Sequence, residues 1–587
     1  MKHLIVALLL SVVFLAGCSS PVTEANKKEG QTTPPLVAEN AATRSEQQQQ
    51  ADRERHPQPP PVPADALSAR AAGAPMKTSG ALGRTAAYEA MPASTPVPAW
   101  NRESYNANQE TGFINAGRDP LSTFSIDVDT ASYANVRRFV NGGNLPPVGA
   151  VRIEEMVNYF TYDYPEPTGR DPFALSAEVG PSPFHSGYQL ARIGLKARDL
   201  AKKQLPPSNL VFLIDVSGSM QDANKLPLLK QALPLLVRQL GARDRVALVV
   251  YAGGDSVVLP PTPGNRQQEI LAAIDRLRAG GSTHASGGIR TAYQLARQGF
   301  MAKGNNRVIL ASDGDFNVGV TSRDELQRLI EAERKSGVYL TVLGFGMGNY
   351  HDDTMEILAD KGNGNYAYID SLLEANKVMV KELSGTLFAL AGDVKIQVEF
   401  NPARVGAYRL IGYENRALAD EDFRDDAKDA GEIGVGHRVT ALYELIPAGH
   451  ESIPQLDPLK YQAVQSASAS ASPELLTVKL RYKPLGEQTS RLMSLPVREA
   501  SARQTTADFR FAVAVAGYGM LLTRSEHLGT FTWEQCLDMA RSGRGFNAEG
   551  YRAEFYRLVE ASQLLAQRQG RPDTPTEPQP IPQPVFR

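Results

Sequence analysis

The chain has 587 residues, and its 62 Lys and Arg against 64 Asp and Glu give a formal net charge of −2. A chain of this length exceeds one hydrophobic core, so about two to four domains are expected. Both signs of charge are mixed along the sequence without a basic block, which excludes an extended nucleic-acid-binding surface. Only Cys18 and Cys536 are present, so a fold held together by disulfides is excluded as well.

The first 18 residues are predicted to form an export signal. An apolar run from Leu4 to Phe14 is too short to span a bilayer as a helix. It leads into L-A-G-C at 15–18, which resembles a bacterial lipoprotein signal. The resemblance implies lipidation of Cys18, and Ser19 after it is similar to the pattern of outer-membrane lipoproteins. We therefore expect a lipid-anchored envelope protein at the outer membrane, facing the periplasm; an ordinary secretory signal with an incidental cysteine is the alternative.

Two segments have the composition of disordered chain. Residues 19–118 are rich in Pro, Ala, Gln, Glu and Ser and show no apolar periodicity, so they cannot bury enough surface to offset their ordering entropy. We interpret them as a tether between the lipid and the folded part. The tail at 571–587 is rich in Pro and is predicted to be disordered too.

Order is predicted to begin near residue 119. In the region 119–204 a strand at 124–130 leads into a helix, and a second helix is predicted at 153–160. Apolar residues then alternate with polar ones at 173–179, which is typical of a strand with one face in water. The same alternation returns at 394–400.

Asp127 and Asp129 suggest a rival chemistry. Asp-Val-Asp-Thr after a strand resembles the first motif of haloacid-dehalogenase phosphatases, in which one Asp attacks phosphorus and the next acts as acid and base. Ala131 stands where that family prefers Thr or Val, and the segments that follow do not look like its sheet. The simpler interpretation is a turn or helix cap, in which Asp129 or Thr130 binds the first backbone N–H groups.

Oxygen-bearing residues follow apolar strands in the region 205–392. The run Leu210–Ile214 indicates a strand buried on both faces of a parallel sheet, and Asp215 follows it. A second apolar strand ends before Asp313. Ligand sites of open α/β sheets lie beyond the carboxyl ends of the strands. Carboxylate and hydroxyl oxygens at this edge suit Mg²⁺.

Three motifs in this region resemble a known metal site. They are D-x-S-x-S at 215–219, G-G-S-T at 280–283 and S-D-G at 312–314. Their order resembles the metal-ion-dependent adhesion site of von Willebrand factor type A domains. The resemblance implies a Rossmann-like, doubly wound and mostly parallel sheet over 205–392.

The resemblance also implies a ligand set and a partner. Ser217, Ser219 and Thr283 would bind Mg²⁺ directly through hydroxyls, with Mn²⁺ as the alternative ion. Asp215 and Asp313 would hold it largely through water. One coordination position would stay open for a Glu or Asp carboxylate of a protein partner. The alternative is that both aspartates cap helices and the serines form turns.

The remainder is predicted to be β-rich at 393–500 and helical at 501–570. We expect the alternating strands before and after the α/β domain to pair in one sandwich, with that domain inserted between them. Cys536 is interpreted as a small buried hydrophobe on a helix. The fold class is therefore multidomain α/β plus β, with a helical C-terminal region.

From 119 to 570 the organisation resembles bacterial von Willebrand factor A lipoproteins with an uncharacterised C-terminal region. We expect a binding protein rather than an enzyme, because the site lacks a base, a nucleophile and an oxyanion device. The alternatives are a metal-dependent phosphate-ester hydrolase using Asp127 and Asp129, and a purely structural envelope component.

Overall fold

The computed structural model describes Glu103, Tyr105 and residues 109–570, except for 282–284, 315–322, 349, 427, 429, 455–471, 500–504 and 546–548. The strands are β1 (Ile114–Asn115), β2 (Leu121–Ser125), β3 (Phe173–Pro181), β4 (Gln189–Ala197), β5 (Ser208–Asp215), β6 (Arg245–Tyr251), β7 (Asp255–Pro263), β8 (Asn305–Ser312), β9 (Tyr339–Phe345), β10 (Tyr366–Ile369), β11 (Ala389–Phe400), β12 (Val405–Leu410), β13 (Ala417–Leu418), β14 (Ile433–Gly434), β15 (Arg438–Pro447), β16 (Glu474–Pro484) and β17 (Arg491–Arg498). The helices are α1 (Ala131–Asn141), α2 (Ile153–Asn158), α3 (Leu226–Val237), α4 (Gln267–Asp275), α5 (Ala285–Gln298), α6 (Arg323–Arg334), α7 (Asp352–Lys361), α8 (Leu372–Asn376), α9 (Leu383–Leu387), α10 (Ala507–Thr523), α11 (Trp533–Ser542) and α12 (Tyr551–Arg568).

A six-stranded sheet in the order β10-β9-β8-β5-β6-β7 forms the α/β domain. Every neighbouring pair is parallel except β6 and β7. Alternate residues of β5 face two different cores: Phe212 packs on the side of α3 and α4, and Leu213 on the side of α5 and α7. Helices therefore cover both faces, and the predicted doubly wound sheet is confirmed.

Two antiparallel sheets form a sandwich beside this domain. Their orders are β1-β12-β15-β4-β3 and β13-β2-β11-β16-β17. Strands from opposite sides of the α/β domain pair directly, since β4 lies against β15 with Ile193 opposite Ala441. Apolar residues of both sheets share one core, in which Phe400 stacks on Tyr408 at 3.9 Å between ring centroids. The predicted pairing of strands across the inserted domain is confirmed.

The predicted wet face of β11 is confirmed at Glu399, which is exposed, and is wrong at two other residues. Lys395 is fully buried and Gln397 nearly so, although both alternate with the apolar core residues of this strand. A 3₁₀ turn at Asp420–Phe423 and the loop after it cover them. The Lys395 ammonium pairs with Asp393 at 2.9 Å and donates to the Asp425 carbonyl at 2.6 Å. Alternation gave the correct strand but could not show that a distant loop returns over its polar face.

The C-terminal helices pack against α1 and α2. Helix α10 is buried all round, and its Phe511 meets Phe160 edge to face at 4.9 Å. Helix α11 begins with a capping box between Thr532 and Gln535. Cys536 on α11 is fully buried, its thiol donates to the Ala514 carbonyl at 3.3 Å, and burial raises its pKa. This agrees with a packing role.

Candidate metal centre

The carboxyl ends of β5 and β8 place the two predicted metal-site aspartates side by side. These strands are parallel neighbours, with Ile214 opposite Ala311. Asp215 is the last residue of β5, and Asp313 directly follows β8. Both are almost fully buried. The sheet register therefore brings together two motifs that lie about a hundred residues apart in the sequence.

Asp215 is held by donors from both strand ends. Its Oδ1 accepts from the Ser217 backbone N–H at 2.9 Å, and its Oδ2 accepts from the Ser312 hydroxyl at 3.1 Å. Burial raises the pKa of Asp215 to about 6, against these hydrogen bonds, which lower it, and the nearby Asp313 charge adds to the rise. A cation beside a buried carboxylate stabilises its ionised form.

The hydroxyls of the D-x-S-x-S loop converge next to this carboxylate. Ser217 and Ser219 lie with their Oγ atoms 3.0 Å apart, the latter in a 3₁₀ turn at Gly218–Gln221. The glycine-rich loop is fixed against them, because Gly218 N–H donates to the Gly281 carbonyl at 3.0 Å. Thr283, two residues further on, lies outside the described residues.

Lys225 is a functional candidate that the sequence did not reveal. Its ammonium is buried and donates to Asp313 Oδ2 at 2.9 Å. The Lys225 side chain crosses Gly346, where an added Cβ would lie 2.3 Å from its Cε and where φ is +82°. Gly346 is therefore required both by its backbone conformation and by this close approach. No motif spacing marks a lysine whose partner is 88 residues away.

The donor set fits a hard divalent cation. Among the described residues no three His, Cys, Asp or Glu side chains cluster as a metal site. A cation at this edge would thus be bound by hydroxyl and water oxygens beside two aspartates. Mg²⁺ is commonly bound by one or two carboxylates while it keeps several water ligands. In the contacts described, Asp215 accepts from the Ser217 backbone N–H in the loop after β5, and Asp313 accepts from the Lys225 ammonium.

Three parts of the chain match known protein families, and one of these families has the α/β fold described above. Residues 209–382 match the von Willebrand factor type A domain, 385–565 match "Uncharacterized protein YfbK, C-terminal", and 99–192 match a family described as "von Willebrand factor". "Uncharacterized protein YfbK" of Escherichia coli is 45% identical over 452 residues, which cover 76% of this chain and 78% of the relative. The chain belongs to the YfbK family.

More distant likenesses match parts of this YfbK-family chain. The magnesium-chelatase 67 kDa subunit of Chlorobaculum tepidum is 27% identical over 191 residues, covering 30% of each protein. The structure of a von Willebrand factor type A protein from Catenulispora acidiphila is 14% identical and covers 64% of this chain and 87% of its own, with a TM-score of 0.35. A type A domain indicates a role in protein–protein interaction or adhesion.

The described residues of this family member do not include Cys18 or the tail at 571–587. They also leave out most of the predicted tether at 19–118. No helix in the described part of the chain is long and apolar enough to cross a membrane.

The strand context that a phosphatase motif requires is absent around Asp127 and Asp129. Strand β2, which precedes them, pairs antiparallel with both β11 and β13. The capping interpretation is wrong too: Thr130 makes no side-chain cap bond, and Asp129 instead accepts from the Tyr366 N–H at 2.8 Å and pairs with Arg416 at 3.5 Å. Asp129 thus fastens the segment before α1 to the α/β domain.

Asp127 lines a cavity of about 370 Å³. We expect the titration of its carboxyl group to make the free energy of unfolding depend on pH. Burial raises the pKa of Asp127 to about 7. The charges of Asp360 and Glu432 add to this rise, and the charge of Arg416 opposes it. The folded protein therefore keeps a proton that the unfolded chain loses above about pH 4, and this contribution to stability is lost as pH rises through 7.

Replacing Asp127 with Asn removes this pH dependence. The free energy of unfolding of the variant minus that of the wild-type protein is therefore expected to be more positive at pH 8 than at pH 4, by on the order of 1 kcal/mol. The measurement is urea unfolding of both proteins across this pH range. Asp538→Asn, an exposed residue of α11, is the control and should show no such difference. Equal stability changes at both pH values would contradict the assigned pKa shift.

Proposed function

We propose that this YfbK-family protein is a lipid-anchored envelope protein whose type A domain uses Mg²⁺ to bind an acidic side chain of a protein partner. The convergence of Asp215, Ser217, Ser219 and Asp313 at one sheet edge carries the proposal. Thr283 completes the proposed ligand set. Mn²⁺ would be an alternative ion at the same oxygens.

The charges around the site favour an anionic partner. Lys225 balances the charge of Asp313, which leaves Asp215 as the one uncompensated carboxylate among these three residues. A bound divalent cation would supply a Lewis-acid position that still carries net positive charge. A Glu or Asp carboxylate of the partner is the group that such a position takes best, since hard cations prefer oxygen anions. Asp215, Ser217 and Ser219 orient the position, and Lys225 keeps it electron-poor.

Binding of Mn²⁺ to the full-length protein, followed by electron paramagnetic resonance, tests the metal part of the proposal. We expect one site from which Mg²⁺ displaces Mn²⁺. Absence of saturable binding in the wild-type protein would refute the metal-dependent function.

Replacing Lys225 with Met is expected to strengthen Mn²⁺ binding by about tenfold, because the substitution removes a positive charge near the ion and frees Asp313. The matched control is Lys230→Met on α3, whose ammonium donates to the Asp275 and Leu277 carbonyls instead. Weaker binding by the Lys225 variant would show that the lysine supports the site rather than opposing the ion.

The anchor is proposed from the signal at 15–18 and rests on Cys18. Cells fed radiolabelled palmitate should label the wild-type protein and not the Cys18→Ser variant, and fractionation should place the label in the outer membrane. A wild-type protein without label would refute the anchor while leaving the metal site unaffected.

A further inference from the structure

A second cavity, of about 290 Å³, lies away from the metal centre. It is bounded by the first turn of α2, the C-terminal end of α10 and the 3₁₀ turns at Val148–Ala150 and Glu414–Arg416. Its charged lining is dominated by glutamates, whereas one wall is apolar. The glutamates are Glu110, Glu154, Glu414 and Glu526, and the apolar residues are Val148, Val151 and Ile153.

Glu154 is the central observation. It is 2% exposed, and its Oε1 has no hydrogen-bond partner. Its Oε2 lies against the turn at Gly412, where an added Cβ would be 2.6 Å from that oxygen and where φ is +76°. The backbone N–H groups of Glu154 and Tyr413 act to lower the pKa of this carboxyl. Oε1 is nevertheless buried without a donor, which is costly for a carboxylate.

Arg152 is the basic residue next to Glu154, and its charge acts to lower the pKa of Glu154. Its ion pairs are formed instead with Glu155 and, at 2.6 Å, with Asp352. Arg524 lies at the exposed rim of the cavity. Burial and the charge of Glu414 raise the pKa of Glu154.

The other glutamates add to the negative charge. Glu110 accepts from the Ser525 hydroxyl at 2.5 Å, so it is fixed at the wall. Burial raises the pKa of Glu414, and the charge of Glu110 contributes to that rise. Glu526 lies at the exposed rim. The cavity therefore combines a buried acidic end with a more open acidic edge.

Helix α10 contributes further to the potential at this cavity. It is 17 residues long, ends at Thr523, and has no basic residue in its last turn. The C-terminal end of a helix carries a partial negative charge and favours cations. Thr523 and the residues after it line the cavity, so this end of the helix meets the same space as the glutamates.

We propose that this cavity binds the cationic end of a lysine or arginine side chain from a protein partner. The glutamates and the end of α10 would receive the ammonium or guanidinium group, with Glu154 Oε1 as an acceptor. The wall of Val148, Val151 and Ile153 would cover the methylene groups of the same side chain, as apolar surface does for long basic residues. This site is independent of the metal centre.

The test is ligand-observed NMR titration of the full-length protein in EDTA with Nα-acetyl-lysine amide and Nα-acetyl-arginine amide. The neutral probe of similar shape is Nα-acetyl-norleucine amide. At least one cationic probe is expected to bind, and Glu154→Gln is expected to weaken it at least about tenfold, because a buried charge partner is lost. Since the pKa of Glu154 is raised, binding should also strengthen with rising pH.

One control variant and a second cavity variant complete the test. Glu451→Gln changes an exposed glutamate that does not line the cavity and should leave the affinity unchanged. Glu414→Gln should weaken binding in the same direction as Glu154→Gln, which covers the case that the Glu154 variant does not fold. Equal binding of the norleucine probe, no binding of either cationic probe, or full affinity in a folded Glu154 variant would each overturn the proposal. Loss of binding in the Asp215→Asn variant would overturn its independence from the metal centre.

Discussion

Replacing Asp215 with Asn is expected to lower the Mg²⁺ affinity of the full-length protein by at least about a hundredfold. The substitution keeps the shape of the side chain but removes the one carboxylate at the site that no lysine compensates. At a Mg²⁺ concentration of about one hundred times the wild-type Kd, binding should stabilise the wild-type protein by about 2.7 kcal/mol and the variant by only about 0.4 kcal/mol. Thermal unfolding with and without Mg²⁺ measures the difference.

In EDTA the same variant should be at least as stable as the wild-type protein. Burial raises the pKa of Asp215 to about 6, so its ionised form is unfavourable in the folded state without a cation. Asp275→Asn, the last residue of α4, is the control, because its side chain is 89% exposed. An Asp215 variant that keeps the full Mg²⁺-dependent stabilisation would place the ion elsewhere.

Replacing Arg137 with Met is expected to destabilise the fold by about 3–5 kcal/mol, the cost of leaving buried carboxylates without their partner. The Arg137 guanidinium, on α1, is 6% exposed and binds Asp370 through two N–H groups at 2.7 and 2.6 Å. It also binds Glu374 at 2.7 Å and Glu554 at 3.0 Å. These residues belong to the α/β domain and to α12, so one side chain joins three parts of the molecule.

Urea unfolding measures this effect, and Arg541→Met is the control, since it changes an exposed arginine. Adding Glu374→Gln to the Arg137 variant should recover part of the loss, because it removes one unpaired charge. A loss below about 1 kcal/mol would show that the cluster contributes as little as an exposed ion pair.

The Arg137 cluster also bears on the proposed metal-dependent function. Asp370 lies two residues before α8, which is followed by a π-helical stretch at Lys377–Lys381 and by α9. This segment leads into β11 of the sandwich. By analogy with other A domains, we expect this segment, which ends at Leu387, to shift when the proposed metal site binds its ligand. Arg137 holds the start of this segment, so the Arg137 variant would also alter any shift of it.

Local motifs made the convergence of the candidate metal-site residues predictable. Asp215, Ser217 and Ser219 lie within five residues, and a parallel strand next to theirs supplies Asp313, so chain topology alone brings them together. Lys225 was missed because no spacing connects it to Asp313. The sandwich was predicted from alternation, but alternation could not give the register that places Arg438 opposite Lys196, because the two strands lie on opposite sides of the inserted domain in the sequence.

Buried charge was the least predictable feature. Lys395 and Gln397 alternate with apolar residues as solvent-facing side chains do, yet a loop covers them. The acidic cavity is assembled from Glu110, Glu154 and Glu414, which are far apart in sequence and meet only in the folded chain. Periodicity reports which face of an element is apolar, but it does not report what returns over the other face.

The most direct test of the central claim is a pull-down from solubilised envelopes with the full-length protein and its Asp215→Asn variant, each with Mg²⁺ and with EDTA. The account predicts a partner that the wild-type protein captures with Mg²⁺ and that is lost both in EDTA and in the variant. Partners captured equally by all four samples would contradict a metal-gated interaction and would move the binding function to other surfaces of the protein.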